Sequence, residues 1–155
     1  MANVEIYNAT EEDVPKIVEI GRESLPIYFS KMEAEMMLGA KDNILLVAKD
    51  KDQVIGFLVS QFRGNRSHIM SIAVTPKYRS QNAGTLLLKE LERKVDNVSN
   101  MMTLNVHTEN VRGVKFYQRN GFTVKQELPN YYGKLPGFNS QNAYFMCKPI
   151  GKYNR

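Results

Sequence analysis

Ser71-Ile72-Ala73-Val74-Thr75-Pro76-Lys77-Tyr78-Arg79-Ser80-Gln81-Asn82-Ala83-Gly84-Thr85 marks the point at which the chain changes character. Its first residues end an apolar strand. Its last open a helix whose Leu87, Leu88, Leu91 and Val95 share one face. Between them lies a loop of polar and small residues. Such a loop presents several backbone N–H groups at the positive end of a helix, an arrangement suited to an anion and above all to a pyrophosphate. A plain strand-to-helix turn uses the same residue types, so the loop has to be read in its context.

Upstream, Ile44–Lys49, Val54–Phe62 and His68–Val74 are rich in β-branched and apolar residues. Asp50-Lys51-Asp52 and Gly64-Asn65 separate them at hairpin length, which predicts three antiparallel neighbours. Before them come a strand over Val4–Ala9, a helix from Thr10 to about Ser24 stopped by Pro26, and a short helix over Lys31–Leu38. Val14, Ile17, Val18 and Gly21 mark the inner face of the first helix, and Met32, Met36 and Met37 that of the second. Downstream follow a strand over Thr103–Val106, a helix over Val111–Arg119 closed by Asn120-Gly121, and strands over Phe122–Leu128 and Asn142–Lys148. The loop Pro129–Gln141 joins the last two. The predicted class is α/β: one domain over 1–150 with a mixed central sheet, antiparallel in its N-terminal half, about four flanking helices, and a short basic tail at 151–155.

Composition bounds the function. A chain of 155 residues fits one domain, and 43% hydrophobic with 24% charged residues is ordinary soluble usage. The single cysteine, Cys147, reads as a buried strand residue; it excludes an internal disulfide framework and a cysteine-rich zinc site. No apolar run approaches the roughly 20 residues needed to span a bilayer. Met1-Ala2-Asn3-Val4-Glu5 lacks the layout of a signal peptide, so the expected location is cytoplasmic. The net charge of +5 favours an anionic partner. That charge is scattered and no zinc-finger or RNA-recognition signature accompanies it, so no direct nucleic-acid partner is expected.

The loop resembles the acetyl-CoA-binding signature of the GNAT superfamily of N-acetyltransferases, Arg/Gln-x-x-Gly-x-Gly/Ala, which reads here Arg79-x-x-Asn82-x-Gly84. Asn82 stands where the family has its first glycine, and Asn is among the residues that best tolerate positive φ. Ala73-Val74-Thr75-Pro76-x-Tyr78-Arg79 and Gly84-Thr85-Leu86-Leu87-Leu88 extend the match. Asn110-x-x-Gly113-x-x-Phe116-Tyr117-x-x-x-Gly121-Phe122 is similar to the family's second motif. The resemblance spans nearly the whole chain. It is closest to the catalytic subunits of protein N-terminal (Nα) acetyltransferases of the ribosomal-protein-alanine acetyltransferase type. Leu25-Pro26-Ile27-Tyr28-Phe29 looks like their substrate loop and Pro129-Asn130-Tyr131-Tyr132 like their paired-tyrosine loop.

The resemblance implies a GNAT fold with a splayed parallel strand pair in the middle of the sheet. It also implies acetyl-CoA as co-substrate, no metal, and direct attack of an amine on the thioester. Protein N-termini or peptides would be the substrate, a ribosome or an auxiliary subunit a further partner, and no membrane would be involved. By the same resemblance the backbone of Ile72, Ala73 and Val74 holds the pantetheine arm and helps polarise the acetyl carbonyl. The loop amides of Arg79, Ser80, Gln81, Asn82, Ala83, Gly84 and Thr85 hold the pyrophosphate, Asn110 and Lys115 contact the cofactor, and Tyr117 sits near the sulfur as general acid. Leu25, Pro26, Tyr28, Phe29, Met70, Tyr131 and Tyr132 would line the peptide site. The alternative for Tyr117 and both aromatic loops is packing on the core.

The general base is open. Asn105 matches a position that is often Glu or His in similar enzymes, and an amide can order a water but not accept a proton. Strand alternation puts Thr103, Asn105 and His107 on one face, with His107 about 6.6 Å from Asn105. His68 lies on a strand where related enzymes carry a Tyr facing the substrate. The expected catalytic set is Tyr117 with Asn105 in a water relay that ends on His68 or His107, an imidazole having an unperturbed pKa of about 6.5. Two competing readings stand beside this one. A small-amine (polyamine-type) acetyltransferase would recruit carboxylates for its cationic substrate. A non-catalytic acetyl-CoA-binding module would explain Asn82 and Asn105.

Overall fold

Alternating residues in strands and three-to-four spacing in helices account for the elements of the computed structural model, which describes residues 3–151. Residues 152–155 of the expected basic tail lie outside it. The chain runs β1 (Val4–Asn8), α1 (Val14–Ser24), α2 (Lys31–Gly39), β2 (Asn43–Asp50), β3 (Gln53–Arg63), β4 (Arg66–Val74), α3 (Ala83–Val95), β5 (Met101–His107), α4 (Val111–Arg119), β6 (Thr123–Leu128) and β7 (Ala143–Pro149). Single 3-10 turns, Glu11–Asp13 and Pro76–Tyr78, precede α1 and follow β4. The strands form one seven-stranded mixed sheet in the order β1-β2-β3-β4-β5-β7-β6. β1, β2 and β3 pair antiparallel. β4 pairs with β5 in parallel, from Arg66 opposite Met101 to Ile69 opposite Leu104. β7 is antiparallel to both β5 and β6.

The described residues group into two compact units, one running up to Phe62 and adding Met70–Lys94, the other made of Arg63–Ile69 and the residues from Val95 onward. In the first, Ile17 and Ile20 of α1 pack with Leu45 and Val47 of β2 and Val54, Phe57 and Val59 of β3. Ile20, rather than the expected Val18, completes the inner stripe of α1. Asp13 is buried just before this helix, and its carboxylate accepts from the Thr10 amide at 2.9 Å and pairs with Lys49 Nζ at 3.3 Å. Partners on both oxygens make that burial tolerable.

The methionines of α2 do not sit as the sequence suggests. Met32 and Met36 are 71% and 68% exposed, whereas Ala34 is buried and Met37 and Leu38 pack on the core. Ser30 and Glu33 cap each other reciprocally at the start of α2. From that start, positions 34, 37 and 38 form the inward stripe.

In the second unit, Met102, Leu104 and Val106 of β5 are buried on one side of the strand, and Thr103, Asn105 and His107 take the other. Asn110 caps α4 through Oδ1, which accepts from the Gly113 amide at 3.0 Å. A Cβ at position 113 would stand 2.6 Å from Asn110 Nδ2, so the glycine of this motif leaves room for the capping side chain. Gly121, at φ +95°, ends the helix in the left-handed conformation that favours glycine. Cys147 is buried on β7, and burial pushes its thiol up.

Candidate active site

Within the first unit the connection from β4 to α3 is built for its backbone to be used. Buried Tyr78 anchors it, donating from its hydroxyl to Asp50 Oδ2 at 2.7 Å. Arg79 Nε donates to the Val74 carbonyl at 3.1 Å, tying the loop to the end of its own strand. Asn82 adopts φ +62°, the left-handed geometry for which the family pattern carries glycine. A non-glycine residue there costs roughly 1–2 kcal/mol, and Asn is one of the few that visits it routinely. The chain then turns directly into α3, where Leu86 N donates to Asn82 O at 2.9 Å. The amides of Ala83, Gly84 and Thr85 precede that bond and have no acceptor inside the helix. Arg79, Ser80 and Asn82 are exposed, Gln81, Gly84 and Thr85 half-buried, and Ala83 is buried. Free amides, the positive helix end and exposed polar side chains fit a pyrophosphate. Ile72 is half-buried and Ala73 and Val74 are buried on β4.

The candidate peptide loop in the same unit divides. Leu25 and Phe29 pack against the core formed by α1, β2 and β3. Pro26 and Tyr28 face solvent, with the Arg22 guanidinium 5.8 Å from the centre of the Tyr28 ring. Met70 is exposed on β4.

The second unit gathers side chains that lie far apart in sequence. His68 Nδ1 is 2.8 Å from Thr103 Oγ1, and His68 Nε2 is 3.4 Å from Asn105 Nδ2. The same amide nitrogen donates to the Tyr131 hydroxyl oxygen at 3.1 Å. An amide NH₂ only donates, so Nε2 is the accepting nitrogen and the ring carries its proton on Nδ1, directed at Thr103. Burial, reinforced by the charges of Arg63 and Arg66, pulls His68 down to about 4. The imidazole is therefore neutral at physiological pH. Asn105 Oδ1 is buried and has no hydrogen-bond partner among the described residues.

His107 has a different environment. Its Nε2 donates to the Ser140 carbonyl at 2.8 Å, and its Nδ1 accepts from the Glu109 amide at 3.0 Å. Its ring stacks on Phe138 at 3.8 Å and on Tyr132 at 5.5 Å. Neither nitrogen is left to take a proton from a substrate, and the structure does not bring His107 to Asn105 as it brings His68. Tyr131 and Tyr132 meet edge to face at 5.0 Å. Tyr131 is half exposed, while burial and the neighbouring Tyr131 push the Tyr132 hydroxyl up to about 12.

On α4, Tyr117 packs edgewise against Phe116 and Phe122, and burial raises its hydroxyl far above the ordinary tyrosine value. Lys115 and Asn110 are exposed, with Asn110 Oδ1 committed to the cap and Nδ2 left as a donor. Sequence reading missed Glu109 and Ser140, which support the tyrosine loop. They are 31 residues apart in unremarkable turns, and nothing in their local pattern announces a contact. Among the described residues no helix is long and apolar enough to cross a membrane, and no group of three or more His, Cys, Asp or Glu is placed to hold a metal.

The acetyltransferase (GNAT) family model matches residues 4–122. An uncharacterized N-acetyltransferase of Methanocaldococcus jannaschii is 30% identical over 132 residues, covering 82% of this chain and 83% of its own. An N-alpha-acetyltransferase of Sulfurisphaera tokodaii is 26% identical, covering 94% and 92%. A spermidine N(1)-acetyltransferase of Thermoplasma acidophilum is 25% identical, covering 79% and 90%. Among solved structures, the ribosomal-protein-S18-alanine N-acetyltransferase of Escherichia coli superposes with a TM-score of 0.85 at 20% identity over 96% of this chain and 95% of that one, a likeness of fold. With the family model spanning most of the chain, the protein belongs to the acetyltransferase (GNAT) family and is an acetyl-CoA-dependent N-acetyltransferase.

Proposed function

We propose that the protein acetylates the α-amino group of protein or peptide N-termini by direct attack of that amine on the thioester of acetyl-CoA. The observation that carries this reading is the weakness of the available base. His68 is neutral, with its pKa lowered to about 4, and the cluster it forms with Thr103, Asn105 and Tyr131 contains no carboxylate. An α-amine of pKa about 7.7–8.0 is roughly one-third neutral at pH 7.5, whereas an alkylamine of pKa about 10.4 is about 0.1% neutral. An α-amine can therefore attack without prior deprotonation by a strong base. Its nitrogen becomes cationic as the new bond forms, and the proton then has to leave. Asn105 Oδ1, buried and unpartnered, can accept from that N–H or from a water beside it. The 3.4 Å contact at His68 Nε2 is long for a hydrogen bond and can yield to such a water, with His68 as a transient acceptor that passes the proton on to solvent.

The loop amides around Asn82 would hold the pyrophosphate of the co-substrate, and the β4 backbone at Ile72 to Val74 the pantetheine arm. Tyr117 keeps its proton, because burial raises its hydroxyl. A thiol has a pKa of about 8.5, so complete transfer from Tyr117 to the departing thiolate is uphill. Tyr117 would serve by hydrogen-bonding the sulfur as negative charge develops on it.

The spermidine acetyltransferase relative supports a second reading, a small-amine substrate. The missing carboxylate weighs against it. The test is mass spectrometry after incubation with acetyl-CoA and peptides beginning Met-Leu, Ser, Ala or Glu, with spermidine in parallel. Acetylation at a peptide α-amine is the expected outcome. Modification of spermidine alone overturns the reading in favour of small amines, and no product on any amine leaves a binding module.

A further inference from the structure

We propose that Glu109 is a positioning residue that locks the loop carrying Tyr131 and Tyr132. Glu109 occupies the short turn between β5 and α4, next to the α4 cap Asn110. Its carboxylate takes three donors from one place on the tyrosine loop. Oε2 accepts from the Ser140 amide at 2.8 Å, the Ser140 hydroxyl at 3.0 Å and the Asn139 amide at 3.0 Å, while Oε1 lies 3.1 Å from the same Asn139 amide.

The backbone of the same residue completes a second tie. The Glu109 amide donates to His107 Nδ1, and His107 Nε2 donates to the Ser140 carbonyl. Ser140 is thus held through its amide, hydroxyl and carbonyl together. The His107 ring so fixed is the one on which Phe138 and Tyr132 stack. Elsewhere the loop is tied near its two ends, by the Tyr132 amide on the Gln141 carbonyl at 2.9 Å and the Asn130 amide on Asn142 Oδ1 at 3.0 Å. Between the ties Gly133, Lys134, Pro136 and Gly137 are exposed, and neither glycine has an atom within 4 Å of a would-be Cβ. The hydrogen bonds from the Asn139 and Ser140 amides hold the carboxyl of Glu109 below its usual range, so the acceptor stays charged at neutral pH.

A carboxylate suits this task because it offers acceptors only. Glutamine keeps the shape, but with its oxygen in the Oε2 place its NH₂ group is turned on the Asn139 amide, a donor facing a donor, and the charge that strengthens the other bonds is gone. The consequence for catalysis rests on the peptide reading: a loosened tyrosine loop weakens capture of the peptide and leaves the acetyl-transfer step intact. The test compares wild type with Glu109→Gln and Glu109→Asp in two measurements. Steady-state kinetics with a peptide that wild type acetylates give KM and kcat separately, and amide hydrogen exchange reads Asn139 and Ser140 directly.

The expected result for Glu109→Gln is a peptide KM raised by about five- to tenfold with kcat and the acetyl-CoA KM unchanged, the scale of one hydrogen bond of ordinary net strength. Exchange at Asn139 and Ser140 should accelerate, and Glu109→Asp should recover part of both effects. Unchanged exchange at these amides overturns the lock. A KM increase shared equally by acetyl-CoA overturns it as well, because general loosening would then be the cause. Should wild type acetylate no peptide, the peptide reading fails on that arm alone and the exchange rates still decide whether Glu109 holds the loop.

Discussion

The two histidines of this protein, one on β4 and one at the end of β5, have opposite endowments. His107 ends β5 with both ring nitrogens bonded to backbone groups, Ser140 O on one side and Glu109 N on the other, and with aromatic rings stacked on its plane. His68, on β4, is held from one side by the Thr103 hydroxyl and meets a single long contact at its other nitrogen. One imidazole is a structural connector. The other has one long contact and no further bond on its accepting nitrogen. A histidine's role is set by what its second nitrogen touches, and two positions that look equivalent on the strands are separated by their partners alone.

The two rings part most sharply under substitution at His68. Replacing His68 with Gln should lower kcat by about a hundredfold with acetyl-CoA binding retained, the low end of the span for a positioned general base, because a pKa of about 4 lies well below the operating pH. A turnover within the range of wild type would leave the proton with solvent and remove the distinction between the two rings.

The same variant sharpens the comparison through stability. The unfolded chain protonates His68 below about pH 6.5, the folded chain only near pH 4. The folded-state value is the lower one, so the associated stability is complete above about 6.5 and is lost as pH falls toward about 4. The loss is at most about 3–4 kcal/mol, the span from about 6.5 to about 4 at roughly 1.4 kcal/mol per pH unit. Urea titrations at several pH values should show this slope in wild type and lack it in His68→Gln.

Tyr117→Phe comes next, with kcat reduced by about a hundredfold at unchanged acetyl-CoA KM. An unchanged kcat would make Tyr117 a core residue beside Phe116 and Phe122. The smallest effect on turnover belongs to His107→Gln. That change should cost about 1–3 kcal/mol of stability by leaving the Glu109 amide unpaired. It should leave kcat per folded molecule as it was and raise the peptide KM in the manner of Glu109→Gln. A large fall in kcat there would return His107 to the chemistry.

Features that depend on neighbours in sequence were legible before any coordinates. The left-handed Asn82, the helix stop at Asn120-Gly121 and the alternation along β5 all follow from a residue's own backbone preferences and those of its immediate neighbours. The α/β order agrees with that local reading, and the parallel pairing of β4 with β5 agrees with what the family resemblance implies. The inner face of α2 was misread because exposed and buried methionines carry the same side chain, and only packing against β2 and β3 separates Met37 from Met32 and Met36.

Local sequence is enough to place the strands and helices, the loop of polar and small residues between β4 and α3, and the polar residues open to chemistry. Tertiary structure alone decided how those residues are used. It joined His68 to Thr103 and Asn105 across 35 and 37 positions of chain, and Asn105 to Tyr131 across 26. It spent His107 on the backbone and left Asn105 Oδ1 without a partner. The physical reason is range. Backbone propensities act over a few residues, whereas hydrogen-bond satisfaction and desolvation depend on groups that only the folded chain brings within about 3 Å of one another.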